Sequence, residues 1–309
     1  MKQKIMLQVV CTLIPLVVAS VYFFGWRSLV ILAVVNLAGF ASEYIFARIY
    51  KQQVSSAVFV TNFLFALSLP PTIPLWIAVV GIVFGLVFGK MVFGGFGRNV
   101  FNPALSGRAF IYVSFGYPMT SRFIEPVTGF PGGFARWLPD MDTLTKATPL
   151  IKLSGGEEVP FMDMLLGSTS GSLGETSAIL IIITGLIIVI KKAASFRIVV
   201  SCFLGYLGLQ TVFWYSGVAG AIHPLYGLFA GSLLFAFFYM ATDPISSSQT
   251  TNKGRWIYGL IIGLLTSLIR TFSAWPAAVT FSILLANMFA PLIDYWLKQS
   301  AAKKKARAS

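Results

Sequence analysis

The sequence predicts an all-α, polytopic membrane protein of about ten transmembrane helices with one long extracytoplasmic segment. Three observations carry this. Of the 309 residues, 57% are hydrophobic and only 11% charged, against about 45–50% and about 25% in soluble domains. The apolar residues gather into runs close to the ~20 residues that cross a bilayer, and the mean hydropathy is +0.81. The basic residues, 23 Lys and Arg against 10 Asp and Glu, sit mainly in short connections between those runs, as in a protein with Lys/Arg-rich cytoplasmic loops. The net charge of +13 therefore does not indicate a nucleic-acid binder, and the composition excludes an ordinary soluble enzyme or a disordered chain.

The apolar runs place spans at 6–25, 29–47, 54–70, 75–89, 107–116, 178–190, 197–215, 224–241, 257–272 and 278–297. The fifth and sixth are short. An uncleaved first helix is expected at the N-terminus, because nine further spans follow it. Residues 91–106 read neither as a span nor as a solvated loop. Gly-rich irregular backbone near a membrane is tolerated where protein buries it or where it lines a cavity. The predicted organisation is a first helical half (1–116), an extracytoplasmic segment (117–177), a second helical half (178–297) and a basic cytoplasmic tail (298–309). A faint internal echo, Pro74-Leu75-Trp76 with Gly81 and Pro224-Leu225-Tyr226 with Gly231, is compatible with a repeat.

Of the 23 basic residues, 17 fall on one side of these spans, Lys90 and Arg108 among them, and six on the other, including Arg270. Both termini are thus expected in the cytoplasm. Seven of the ten acids lie in 117–177. The other three, Glu43, Asp243 and Asp294, stand in or beside apolar spans, where an ionisable group is costly and marks a functional candidate. For Glu43 a basic partner such as Arg48 is the alternative.

Cys11 and Cys202 lie in apolar runs and read as small buried hydrophobes. His223 is the only histidine, so a multi-His metal site cannot be built. No Gly-rich loop followed by Lys-Ser/Thr occurs, which argues against nucleotide hydrolysis.

Five segments form a recognisable series. They are Phe93-Gly94-Gly95-Phe96-Gly97-Arg98-Asn99-Val100-Phe101-Asn102-Pro103-Ala104 with Gly107-Arg108-Ala109-Phe110; Asp142-Thr143-Leu144-Thr145-Lys146-Ala147-Thr148-Pro149-Leu150; Gly171-Ser172-Leu173-Gly174-Glu175-Thr176-Ser177; Met240-Ala241-Thr242-Asp243-Pro244 with Gly254-Arg255; and Ala290-Pro291-Leu292-Ile293-Asp294. With them the chain resembles, over nearly its whole length, one family. That family holds the RnfD protein of the Rnf ion-translocating ferredoxin:NAD oxidoreductase and the NqrB protein of the sodium-translocating NADH:quinone oxidoreductase. The compact length favours the Rnf branch.

The resemblance implies an FMN joined through its phosphate to a threonine hydroxyl. Asp142, Thr145, Ala147 and Thr148 fill the pattern read by a flavin transferase, with Thr148 as acceptor; Lys146 departs from it. The resemblance also implies a non-covalent riboflavin, with contacts from Thr61, Asn99 and Asn102 and with Trp137 nearby. The alternative for Asn99 and Asn102 is that they satisfy the irregular backbone of 94–103. Phe235, Tyr239, Asp243 and Asp294 match positions linked to cation passage. The first three are spaced four apart and share one face of a regular helix; packing is the alternative for the rings. Two family carboxylates are missing here, where the chain has Val54-Ser55-Ser56-Ala57 and Ala277, so the ion is open between sodium and proton.

The expected function is that of a flavin-carrying subunit relaying electrons between ferredoxin and NAD in a redox-driven ion pump, with no turnover alone. Its expected partners are other Rnf-type subunits, including a second covalent-FMN subunit and FeS-carrying membrane subunits, together with a flavin transferase and membrane lipid. A subunit of the quinone reductase, or a flavin-free channel or solute transporter of related fold, is the alternative.

Overall fold

The computed structural model describes residues 3–121, 123–139, 148–175, 177–273, 275 and 277–306. Among the described residues the chain is helical, with no strand. Helices α1 (Lys4–Phe24) and α2 (Arg27–Ile49) are joined by a tight turn at Gly25. Gly25 has φ +84° there, and a Cβ would come within 2.7 Å of the Arg136 and Trp137 carbonyl oxygens, so only glycine fits.

Helix α3 (Ala57–Leu67) stops at Ser68. The following Pro70, Pro71 and Pro74 have no amide hydrogen to continue it. α4 (Leu75–Leu86) begins after Pro74 and runs on as a π-helical turn, Val87–Met91. The Gly-rich stretch then turns the chain through positive φ at Gly94, Gly95 and Gly97. Asn102 opens α5 (Pro103–Ser114), its Oδ1 accepting from the Ala104 and Leu105 amides, as an N-cap does. Short helices α6 (Gly116–Thr120), α7 (Pro149–Ser154) and α8 (Phe161–Leu166) fall in the segment expected outside the bilayer.

Helices α9 (Ala178–Ile190) and α10 (Phe196–Tyr215) follow. The eighth expected span is broken. α11 (Pro224–Phe229) ends at Ala230, and Gly231 at φ +69° redirects the chain. α12 (Leu233–Phe235) then passes into a π-helical turn, Ala236–Met240. α13 (Asn252–Phe272) starts where the Thr251 hydroxyl accepts from the Gly254 amide at 2.9 Å. α14 (Ala278–Ala306) closes the fold. Of the echoed residues, Pro74 and Pro224 both stand at helix starts, whereas Gly81 lies inside α4 and Gly231 in the break.

Among the described residues, helix is found in each of the ten apolar segments, interrupted in 224–241, and five helices are long and apolar enough to cross a membrane: α1, α2, α10, α13 and α14. The others are shorter or interrupted; a 12-residue helix such as α5 is only about 18 Å long. The interrupted ends are enclosed by protein. Arg27 donates to the Pro71 and Ile73 carbonyls, Arg108 to the Ser68 carbonyl, and Arg270 to the Gly227 and Ala230 carbonyls. The 117–177 segment also reaches in, with the Leu173 and Gly174 amides bonding the Leu69 and Leu67 carbonyls at 3.0 and 2.7 Å. Irregular backbone at membrane depth requires such partners. One apolar core draws on helices from both ends of the chain, from Leu13 and Phe24 to Tyr206, Phe237 and Ile283.

Three residues that read from sequence as loop charges are instead internal. Lys90, Arg108 and Arg270 are 2%, 8% and 7% exposed, each pointing into the protein to a specific acceptor. Cys202 is buried as expected, but Cys11 lies exposed on α1, where an apolar run faces outward rather than inward.

Candidate functional site

Two cavities with polar side chains on their walls lie toward opposite ends of α5. The first, about 620 Å³ and open to solvent, is lined by Thr148, Arg108, Glu175, Ser170, Ser172 and Tyr112, with Gly231 and Ser232 from the broken span. Thr148 stands immediately before α7 and is largely buried. Its hydroxyl makes no N-cap hydrogen bond, although threonine at that position usually does. Arg108 enters from α5. One Nη1 bonds both the Ser68 carbonyl and the Glu175 carboxylate, the latter at 3.2 Å. Its Nε is buried without a hydrogen-bond partner. Burial pushes the Glu175 carboxyl above the usual carboxylate range, with the Arg108 guanidinium opposing that shift. Arg270 acts on Glu175 in the same sense more weakly. The cavity thus presents an acceptor hydroxyl, a guanidinium with unused capacity and an acid whose charged form is disfavoured.

The second cavity, about 380 Å³, brings together Thr61, Asn99, Asn102, Lys90 and Asp243. From sequence, Thr61, Asn99 and Asn102 form one group and Asp243 belongs to another; the fold places them around one space. Their side chains are already engaged. Thr61 donates to the Ala57 carbonyl, Asn99 to the Phe101 carbonyl at 3.0 Å, and Asn102 to the Met240 carbonyl at 3.1 Å. The Asn102 amide donates to Asn287 Oδ1, and Asn287 Nδ2 donates to the Ser246 carbonyl and to the Tyr258 hydroxyl oxygen. The asparagines therefore tie the irregular 99–102 backbone to the broken span. Lys90 Nζ is 2.6 Å from Glu43 Oε2, while Glu43 Oε1 accepts from the Ser55 amide. Arg48, considered from sequence as the Glu43 partner, instead bonds the Tyr44 hydroxyl.

The remaining sequence candidates are distributed as follows. Phe235 and Tyr239 are buried, with ring centroids 5.4 Å apart. Asp243 does not extend their face. The π-helical turn at Ala236–Met240 and the turn after it interrupt the regular period, and the Asp243 carboxylate accepts from the Ser246 amide and hydroxyl. Asp294 lies on α14 and accepts from the Ser248 and Thr250 hydroxyls, each at 2.6 Å. Trp137 is exposed beside the α1–α2 turn, where its carbonyl accepts from the Arg27 amide; it does not join Thr61 and the asparagines. Asp142, Thr145 and Ala147 lie outside the described residues.

Lys90, Arg108 and Glu175 carry no site role in the sequence reading. A signal was present for two of them: Arg108 interrupts an apolar run, and Glu175 sits in a Gly/Ser segment directly before α9.

Apolar helices, several of them short or interrupted, closed by buried arginines and flanked by cavities with polar side chains on their walls, define a polytopic membrane protein. The chain belongs to the NQR2, RnfD, RnfE family, whose sequence profile matches residues 1–303. It is similar to the B subunit of the Na(+)-translocating NADH-quinone reductase of Ectopseudomonas mendocina (strain ymp), 42% identical over 88% of this chain and 67% of that protein. The protein of the same name from Yersinia pestis is 37% identical over 91% of this chain and 71% of its own length. That from Klebsiella pneumoniae (strain 342) is 36% identical over the same shares, 91% and 71%. These relatives favour the quinone-reductase branch over the Rnf branch expected from the chain's compact length.

Proposed function

We propose that the chain is a flavin-carrying membrane subunit of a redox-driven, ion-translocating complex, of the NADH:quinone reductase type rather than the ferredoxin:NAD type. The carrying observation is that the Thr148 hydroxyl and the Arg108 guanidinium line one cavity. The residues fit FMN esterified at Thr148. The hydroxyl is not used as a helix cap, and Arg108 Nε is buried without a partner. When bound, such a flavin supplies the one- and two-electron chemistry. The protein's own residues position it: Thr148 fixes the attachment point, Arg108 places positive charge beside it, and Glu175 orients Arg108.

Riboflavin fits the second cavity less well. Thr61, Asn99 and Asn102 direct hydrogen bonds to backbone carbonyls, which leaves these donors committed within the protein. What this cavity offers is the Asp243 carboxylate beside the Lys90–Glu43 pair, which suits passage of a small cation, sodium or proton, compensating charge moved by electrons. The other subunits, a flavin transferase and the bacterial inner membrane complete the proposal, with both termini cytoplasmic.

The test is ultraviolet fluorescence of the denatured chain in a gel after co-expression with a matching flavin transferase. A fluorescent band that Thr148→Ala abolishes is expected. A dark wild-type band, or one still bright in Thr148→Ala, rejects the attachment. The flavin-free transporter reading predicts a dark band throughout.

A further inference from the structure

We infer that Arg108 is the phosphate-binding residue of the Thr148 cavity, and that Glu175 is the positioning residue which keeps its guanidinium aimed there. This rests on the reading of Thr148 as the flavin attachment residue and adds a residue-level claim that can fail separately.

Three features of the geometry carry it. First, Arg108 comes from α5, inside an apolar run, and is 8% exposed. A guanidinium held at that depth is costly unless its donors are matched. The hydrogen bonds of its Nη1, to Ser68 and Glu175, fix its direction without using all of its five donors. Nε remains buried and unmatched. Second, those remaining donors belong to a side chain on the wall of the cavity that holds the Thr148 hydroxyl. A phosphoryl group joined to that hydroxyl brings anionic oxygens into the same space, and a planar guanidinium is the side chain best suited to hold them. Third, among the described residues the one acid on that wall is Glu175, and its charged form is disfavoured by burial. Glu175 accepts a hydrogen bond from Arg108 in either protonation state, and disfavouring its charge lessens its repulsion of a phosphate.

Arg270 is less suited to the task. Its Nε is likewise buried without a partner, but it does not line the Thr148 cavity, its Nη atoms are taken by the Gly227 and Ala230 carbonyls, at 2.5 and 3.1 Å, and its guanidinium packs 5.6 Å from the Tyr206 ring centroid. Arg108 also touches the end of α3, through the Ser68 carbonyl.

The test uses the full chain carrying Thr148→Ala, assembled in its complex, so that attachment is absent and reversible binding is measured. It is titrated with FMN and, separately, with riboflavin, which lacks the phosphate. FMN is expected to bind at least about tenfold more tightly, the scale of one charge-assisted contact. Adding Arg108→Gln removes the preference, Arg108→Lys keeps part of it, and Glu175→Gln leaves it within about threefold, since glutamine still accepts from Arg108. If Arg108→Gln does not fold, Arg108→Lys decides: a preference reduced about threefold or more supports the inference. Equal binding of FMN and riboflavin before any change at Arg108, or an unchanged preference in both Arg108 variants, overturns it. The gel fluorescence of the unmodified chain reports separately on attachment at Thr148, so a bright, Thr148-dependent band with an Arg108-independent preference rejects only the phosphate-binding role of Arg108.

Discussion

Lys90 Nζ lies 2.6 Å from Glu43 Oε2, and the two side chains are 2% and 3% exposed. The pair joins α2 to the π-helical turn at the end of α4, on the wall of the cavity that holds Asp243. Removing one member of a buried pair strands the other charge, at about 3–5 kcal/mol, whereas replacing both is often near neutral. Lys90→Met is thus expected to destabilise the chain strongly. Adding Glu43→Gln should restore most of the loss, because glutamine still accepts from the Ser55 amide that Glu43 Oε1 now serves. Thermal unfolding in detergent checks this; a double variant no better than Lys90→Met contradicts it.

The contact between α10 and α13 depends on glycine. A Cβ at Gly263 would stand 2.3 Å from the Cys202 carbonyl oxygen, whereas one at Gly208 meets nothing within 4 Å. Gly263→Ala must push two backbones apart and should cost about 1–3 kcal/mol. Gly208→Ala gains helix propensity, roughly 0.5–1 kcal/mol. The two melting temperatures should move in opposite directions, and a shared sign would refute the packing described.

The Glu175 carboxyl gives a pH dependence of definite sign. Burial raises it above its ordinary value of 4.5, although Arg108 opposes the shift. The folded chain therefore keeps this proton at pH values where the unfolded chain has lost it. Stability falls as pH rises from the ordinary value through the raised one, then levels off. Glu175→Gln lacks the titration and should show a shallower decline over that window. Superimposable stability profiles for the two chains would sink this assignment.

The expected helices and the candidate acids were legible because burial leaves a strong mark on composition and period. The breaks were not. Phe235, Tyr239 and Asp243 keep a four-residue spacing in sequence, but a π-helical turn consumes an extra residue and carries Asp243 off that face. Hydropathy reads 224–241 as one run, since Gly231 weighs little in an average and yet ends α11 by its conformation. Charge counting failed at Lys90, Arg108 and Arg270 for a related reason. Each lies in or beside an apolar run, and only the fold reveals that its partner is a distant carboxylate or the carbonyl end of an interrupted helix. Thr148 stands in a motif legible from sequence, but the Arg108–Glu175 wall of its cavity is assembled by residues 67 positions apart.

The two candidate aspartates should separate when mutated. Asp294 engages both carboxylate oxygens with hydroxyl donors, Ser248 and Thr250, and so fastens the 248–250 loop to α14. Asp243 binds Ser246 through one oxygen and lines the Lys90 cavity. If Asp294 acts by holding the loop, Ser248→Ala with Thr250→Val removes the same two contacts and should reproduce Asp294→Asn. Each contact is a charge-assisted hydrogen bond worth about 1.5–3 kcal/mol, so complex assembly and cation uptake should fall together in both variants. Asp243→Asn should instead reduce uptake into vesicles by far more than it reduces assembly, because it neutralises a cavity-facing charge while leaving an acceptor for Ser246. The comparison is cation uptake per assembled complex. Normal uptake in the Ser248/Thr250 variant alongside a specific transport defect in Asp294→Asn would move Asp294 from loop anchor to ion pathway.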